Sequence, residues 1–235
     1  MTFSLKRVYA IFQKDLKDLS KNMFVGTSLI TPLILALFYA GNANITLEMH
    51  YLIINMSFTI VGSFVQCALI AEEKEKNTLR GLMLSPATIP EILSGKSLVT
   101  LLLTLAVILI CTKVTGYRPE NQVLTGIAIF VSALFYIALG TLLGLLTKSV
   151  VEASVVILPV FFLFSFGTFV EVLIDKYPQL SFLEYMPNIQ LVAMAYKVQK
   201  GAEFIDVWTH LGIMLAWVVV TTWIAVFVFR KREMD

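Results

Sequence analysis

Six long apolar runs punctuate the chain, at residues 23–41, 51–71, 97–115, 123–147, 153–174 and 207–229. Each is close to the ~20 mostly apolar residues that a membrane-crossing helix needs. The pattern therefore predicts an all-α integral membrane protein with six transmembrane helices. The second run stops at Ala71, where Glu72-Glu73-Lys74-Glu75-Lys76 begins. Each charge at the bilayer centre costs about 2.5–3.5 kcal/mol on an insertion scale, so five in succession outweigh what Leu and Ile contribute. Ahead of the first run, Leu5, Val8, Phe12, Leu16 and Leu19 recur at steps of three and four, and Lys6, Lys14, Lys17 and Lys21 fall largely off that stripe. Residues 1–22 thus read as an amphipathic helix in the membrane interface, lysines toward anionic headgroups. Residues 175–206 place Pro178, Pro187 and Asn188 between apolar patches, a pattern of short helices packed at the outer surface. No linker, low-complexity tract or repeat divides residues 1–235, so a single membrane domain is expected.

Composition strengthens this reading. The chain is 58% hydrophobic and 14% charged, with a mean hydropathy of +0.83, whereas a soluble domain carries about 25% charge. A net charge of +2 gives no reason to expect a nucleic-acid partner. The placement of the basic residues decides more. With six spans, the segments on the side of the termini hold 13 Lys and Arg and those on the other side hold 5. The positive-inside rule then puts both termini, and the loop at residues 72–96, in the cytoplasm of a cell-membrane protein. Ala40 and Ala43 resemble a signal-peptide cleavage site. The charged region before them is long and patterned, and signal-peptide cores are shorter, about 7–15 residues, so the first run is read as a span.

Candidate chemistry is sparse. Gly95-Lys96-Ser97 resembles the end of a phosphate-binding loop, but Pro90 stands where the first glycine is required. Lys96 reads instead as an interfacial lysine at the start of a span. Glu72-Glu73 is similar to the paired glutamates of intramembrane proteases of the CAAX type, but Asn77 occupies the position of their arginine. Cys67 and Cys111 lie inside apolar runs as small hydrophobic fillers, and His50 and His210 flank runs far apart. No catalytic site, metal site or cofactor of its own is expected. Intramembrane polarity is the remaining signal. Asn55, Thr59, Gly62 and Gln66 form one stripe of the second span, which must face protein or a pathway. Helix packing and a substrate path fit it equally. Gly140 and Gly144 make a GxxxG, which permits close helix approach. Glu171, near the outer end of the fifth span with Asp175 one turn on, is a candidate for gating or substrate contact. Asn55, Thr59, Gln66 and Glu171 are the candidate pathway-lining residues.

The loop carries a more specific pattern. Lys74-Glu75, Thr78-Leu79, Leu82, Leu84, Ser85-Pro86 and Gly95-Lys96 follow one another between the second and third spans. Thr78 can cap a short helix bearing Leu79, Leu82 and Met83, which Pro86 stops. Thr88 and Glu91 form a capping box for the next helix, with Pro90 tolerated in its first turn. This loop resembles the cytoplasmic coupling loop of ABC type-2 transporter permeases. Asn77 stands where that family has glycine and Arg80 where it has glutamate, the second a reversal of charge. The resemblance extends to six spans, the amphipathic N-terminal helix, Pro159, Gly167, the Met186-Pro187-Asn188 turn and re-entrant outer helices. It implies a permease subunit, not an enzyme, of an ATP-driven exporter. Separate ABC ATPase subunits carry the ATP and Mg. By the same resemblance, Glu72, Glu73, Glu75, Thr78, Leu79, Arg80, Leu82 and Met83 are expected to contact them, and a second permease subunit, identical or homologous, to complete the path through the bilayer. The family exports drugs, antimicrobial peptides, lipids and glycans. The absence of a large outer domain and the aromatic-rich spans favour a hydrophobic or amphipathic cargo, peptide or drug-like. The alternative is an ATP-independent secondary transporter or assembly scaffold, with Glu171 as the ion-coupling candidate.

Overall fold

The computed structural model describes residues 3–42 and 44–233; the side chains of Phe24, Leu79, Arg80, Met83, Thr168, Phe169, Glu171, Val172, Asp175, Arg232 and Glu233 lie outside the described residues. Every regular element among the described residues is helical. In chain order these are α1 (Leu5–Lys21), α2 (Met23–Ser28), α3 (Ile30–Tyr39) and α4 (Leu47–Ser57), which passes through a π-helical segment (Phe58–Phe64) into α5 (Val65–Glu75). There follow α6 (Thr78–Met83), α7 (Ile89–Val114), α8 (Gln122–Leu146), α9 (Val150–Ser165) and α10 (Gly167–Lys176). A 3-10 helix (Pro178–Tyr185), α11 (Pro187–Gln199) and α12 (Phe204–Glu233) complete the chain.

Four stretches are long and apolar enough to cross a membrane: Leu47–Glu75, Ile89–Val114, Gln122–Leu146 and Phe204–Lys231. A fifth arises if α1 and Val25–Tyr39, bent by 85°, count as one broken span. The runs at 23–41 and 153–174, expected as continuous helices, are each interrupted. Pro32 accounts for the first break: it has no N–H to offer the Ser28 carbonyl, and its ring crowds that oxygen. The second break is at Phe166 (φ −101, ψ 50), not at Pro159, which α9 absorbs. There the side chain of Asn188 donates to the Leu163 carbonyl at 3.3 Å, supplying a partner to the end of α9.

The helix starts follow local chemistry. Asn121 accepts from the Leu124 amide at 3.1 Å to begin α8, and Ser149 accepts from the Glu152 amide at 3.2 Å to begin α9. The expected capping box opens α7, with the Glu91 carboxylate accepting from the Thr88 amide at 2.7 Å.

The stem α4–π–α5 is the centre of the bundle, and α12 lies on its rim against α8. Phe58 stacks on Tyr136 with ring centroids 5.0 Å apart. Below them α8 comes in close because Gly140 and Gly144 have no side chain. A Cβ on Gly140 would stand 2.8 Å from Ser63 Cα, and one on Gly144 2.8 Å from the Cys67 carbonyl oxygen. The GxxxG is thus the contact of α8 with the stem.

At the end opposite α1 and α6, the 3-10 helix and α11 are held by hydrogen bonds. Trp217 Nε1 donates to the Tyr185 carbonyl at 2.7 Å, and Gln190 Nε2 to the Glu184 carbonyl at 2.7 Å.

The amphipathic helix is present, but its stripe is rotated. Val8, Ile11, Asp15 and Leu19 are buried against the bundle, while Leu5 is 76% exposed and Leu16 is also exposed. The two faces adjoin on the helix, so α1 sits as a wedge. One side packs on α7, where Ile11 crosses Gly95, and the neighbouring apolar side is exposed.

Candidate functional site

The charged block at the foot of the stem organises one end of the molecule, called here the basic end. Glu72, Glu73, Lys74 and Glu75 are the last four residues of α5. Successive helical residues are turned by about 100° from one another, so these four reach four different neighbours.

Glu72 accepts from Asn22 Nδ2 at 2.8 Å, at the junction of α1 and α2, and pairs with Lys76 at 2.5 Å. Glu73 is buried and pairs with Lys14 of α1 and, at 2.7 Å, with Lys96 of α7. Asp15 closes the set: its carboxylate meets Lys96 at 3.1 Å and Lys14 at 3.0 Å. Two lysines and two carboxylates alternate, with Asp15 and Lys96 each 1% exposed. The cluster is neutral, and every charge faces its opposite, which is what makes such burial tolerable. Burial works against the charge on Lys14, but the hydrogen bond and field of Glu73, aided by Asp15, hold its pKa above the ordinary lysine range.

Beside this cluster Glu91 accepts from Arg7 at 2.8 and 3.0 Å and from the Ser4 amide at 2.5 Å. The Arg7 guanidinium, with the Thr88 and Ser4 amides, holds Glu91 down at about 2. This carboxylate lies in the first turn of α7, ahead of the apolar span.

Lys74 donates to the Leu145 carbonyl at 2.7 Å and to the Thr147 carbonyl, at the C-terminus of α8. Glu75 accepts from the Val150 amide at 3.0 Å, at the N-terminus of α9.

Beyond the block the chain turns sharply into α6. Asn77 adopts φ 57, a left-handed conformation that costs most L-residues about 1–2 kcal/mol and that glycine and asparagine tolerate. Asn77, where the resemblance has glycine, thus stands in a conformation that glycine also tolerates. Thr78, expected as the cap of α6, is the first residue of α6, and its hydroxyl donates back to the Glu73 carbonyl at 3.2 Å. After α6, Ser85 Oγ donates to the Leu82 carbonyl at 2.6 Å and accepts from the Ala87 amide at 3.2 Å. Leu84 stands 81% exposed at the tip and Leu82 is half-buried. The side chains of Leu79, Arg80 and Met83 lie outside the described residues.

Of the residues expected on a partner surface, Glu73 is therefore turned into the protein, and Glu72 and Glu75 hold neighbouring elements. Asn77, Thr78, Gly81 and Leu84 are exposed. Lys96, read as a snorkelling lysine, is instead buried in the ion cluster. Asp15 carried a signal for this: it lies four residues after Ile11 and four before Leu19, an acid on an otherwise apolar face.

The polar stripe of the stem is also turned inward. Gln66 donates to Thr141 Oγ1 at 2.9 Å and accepts from Thr100 Oγ1 at 2.6 Å, which binds the stem to α8 and α7. Thr59 donates to the Asn55 carbonyl at 2.8 Å and accepts from Ser165 Oγ at 3.1 Å, next to the break after α9. Asn55 is buried, and the side chain of Glu171 lies outside the described residues. Of the described candidates for a pathway, Thr59 lines a cavity. That cavity is an apolar groove of about 230 Å³, with Thr59, Ile60 and Phe64 on one wall and Ser154, Ile157, Leu158 and Phe161 of α9 on the other.

Residues 12–227 match the family model described as "ABC-2 family transporter protein". The chain belongs to the ABC-2 transporter family. One relative of this permease, the Bacillus subtilis (strain 168) protein named "Putative transport permease YvfS", is 23% identical over 236 residues, covering 93% of this chain and 95% of its own. The permease is accordingly a multi-pass membrane protein of a transport family, built entirely of helices among its described residues.

Proposed function

We propose that this permease is the membrane-spanning subunit of an ATP-driven exporter and that α6 is the knob on which separate ABC ATPase subunits push. One observation carries the reading. A short helix with an exposed apolar tip is fixed between two long spans by Asn77 on one side and the Ser85 turn on the other. An ordinary solvated connection needs neither an apolar tip nor rigid flanks. In this reading the basic end is cytoplasmic, six apolar segments cross the bilayer with the first and fifth broken, and a second permease subunit completes the path. Docking falls on Thr78, Leu79, Arg80, Leu82, Met83 and Leu84, with Glu72, Glu73 and Glu75 behind them as the mounting. The ATPases supply ATP and Mg, and this chain supplies no hydrolytic group.

The groove between the stem and α9 is the candidate cargo path. Its walls are aliphatic and aromatic with two hydroxyl-bearing residues, which suits a hydrophobic or amphipathic molecule, peptide or drug-like. Co-expression with an ABC ATPase and affinity capture tests the docking. The intact permease retains the ATPase, and the Leu79→Asp, Leu82→Asp, Met83→Asp variant, still folded and membrane-inserted, loses it. Undiminished capture by that variant removes α6 as the docking site.

A further inference from the structure

We infer that Lys74 and Glu75 are positioning residues: they tie the α9 wall of the groove to the base of α6, so that a push on α6 moves α9 together with the stem. The inference rests on the proposed docking of an ATPase at α6 and adds the route by which its movement reaches the groove.

The geometry is specific to sign and place. Lys74 puts an ammonium on the last carbonyls of α8, at Leu145 and Thr147. These are acceptors at the negative end of that helix. Glu75, the next residue, puts a carboxylate on the Val150 amide, a donor at the positive end of α9. The connection between the two helices, residues 147–149, is therefore gripped from both ends by two adjacent side chains. Exchanging the two charges would set each against the wrong helix end.

What lies beyond the grip gives it a consequence. Val150 begins the helix that carries Ser154, Ile157, Leu158 and Phe161 along one wall of the groove. The other wall, Thr59, Ile60 and Phe64, belongs to the continuous stem that ends in Lys74 and Glu75 themselves. Both walls are thus joined at the basic end. The stem wall is itself part of the π-helical segment Phe58–Phe64, and α9 ends farther along at Phe166. A π-helical segment inside an α-helix is found frequently at functional sites. Away from the pin the walls meet at the hydrogen bond from Ser165 Oγ to Thr59 Oγ1, which must break for them to part while α6, α5 and the start of α9 move as one piece.

The experiment has two arms, both on the full chain in lipid nanodiscs. In the first, amide exchange at Val150 is followed in the permease alone. Glu75→Ala accelerates it about tenfold, whereas Glu75→Gln, which keeps an oxygen acceptor, leaves it slow. In the second, spin labels on Val155→Cys of α9 and Leu109→Cys of α7, in a Cys67→Ala, Cys111→Ala background, report their separation with and without ATP and vanadate. The permease is there bound to its ABC ATPase.

The unmodified grip, and Lys74→Arg with Glu75→Gln, show an ATP-dependent shift in that separation. The Lys74→Met, Glu75→Ala variant still binds the ATPase and hydrolyses ATP, but the shift is lost. A shift that persists in this variant overturns the inference, as does unchanged exchange at Val150 in Glu75→Ala. Loss of ATPase binding in the double variant alone also overturns it, since the two residues would then belong to the docking surface. No ATPase binding by the unmodified chain removes the exporter reading instead, and the relay with it.

Discussion

Replacing Gly140 by alanine sets two effects against each other in one helix. Within α8, alanine is favoured over glycine by about 0.5–1 kcal/mol. Against the stem it is not. The new Cβ would stand 2.8 Å from Ser63 Cα and 2.9 Å from Gln66 Cβ, and closer still to the Ser63 carbonyl oxygen. These are backbone or backbone-proximal atoms that cannot rotate away, so α8 must withdraw by roughly 1 Å to restore van der Waals distance. That withdrawal stretches the 2.9 Å bond from Gln66 to Thr141 and the 2.8 Å bond from Ser63 Oγ to the Tyr136 carbonyl. Overpacking costs about 1–3 kcal/mol, and interhelical hydrogen bonds in membranes contribute roughly 0.6 kcal/mol each. After the helix-propensity gain, Gly140→Ala is expected to destabilise the permease by roughly 2 kcal/mol. Gly126 lies in the same helix with nothing within 4 Å of its would-be Cβ. Gly126→Ala is therefore neutral, or stabilising by up to about 1 kcal/mol. The assay is thermal unfolding in detergent, read by a thiol-reactive dye on Cys67 and Cys111, both buried in the folded protein. Equal midpoints for Gly140→Ala and Gly126→Ala would refute the close approach of α8 to the stem.

Further predictions concern the basic end. Lys96→Met leaves Asp15 and Glu73 buried with only Lys14 between them, and the same unfolding assay should show a loss of about 3 kcal/mol; Lys96→Met with Asp15→Asn should recover part of it. Asn77→Gly should be neutral or stabilising, and Asn77→Val should cost about 1–2 kcal/mol, because a β-branched residue resists the left-handed turn. Glu91 is held at about 2 against an ordinary 4.5, so its contribution to stability is full above the ordinary value and is lost as pH falls from 4.5 toward 2. Melting temperatures measured across that window should fall less in Glu91→Gln than in the unmodified chain, and parallel curves would count against the Arg7–Glu91 contact.

Much of the architecture was legible because hydropathy reports the length and limits of apolar helices. The stem, α7, α8 and α12 fall where the runs of apolar residues place them, and Thr88 with Glu91 announces the start of α7. The GxxxG was legible for the same local reason. What hydropathy cannot separate is lipid from protein, since both accept Leu. The stripe on α1 therefore mixed Leu5 and Leu16, which face outward, with Val8 and Leu19, which pack inward. Nor does a single chain show which distant charges meet. Glu73 looked like surface because its partners, Lys14 and Lys96, lie 59 residues before and 23 residues after it. The breaks were hidden differently. Proline marks the interruption before α3, but the π-helical segment contains none, and α9 runs through Pro159 to stop at Phe166, where Asn188 arrives from another element. Asn77 was readable in kind, a turn-prone residue in a glycine position, though its left-handed backbone needed the structure.

The claim on which the account depends is that an ABC ATPase touches α6. Leu84→Cys, at the exposed tip, can carry a short photo-activated cross-linker in native membranes that also contain the ATPase. The account predicts a permease–ATPase adduct from Leu84→Cys and none from Val123→Cys, an exposed residue at the opposite end of the bundle. An adduct from Val123→Cys and none from Leu84→Cys would contradict it.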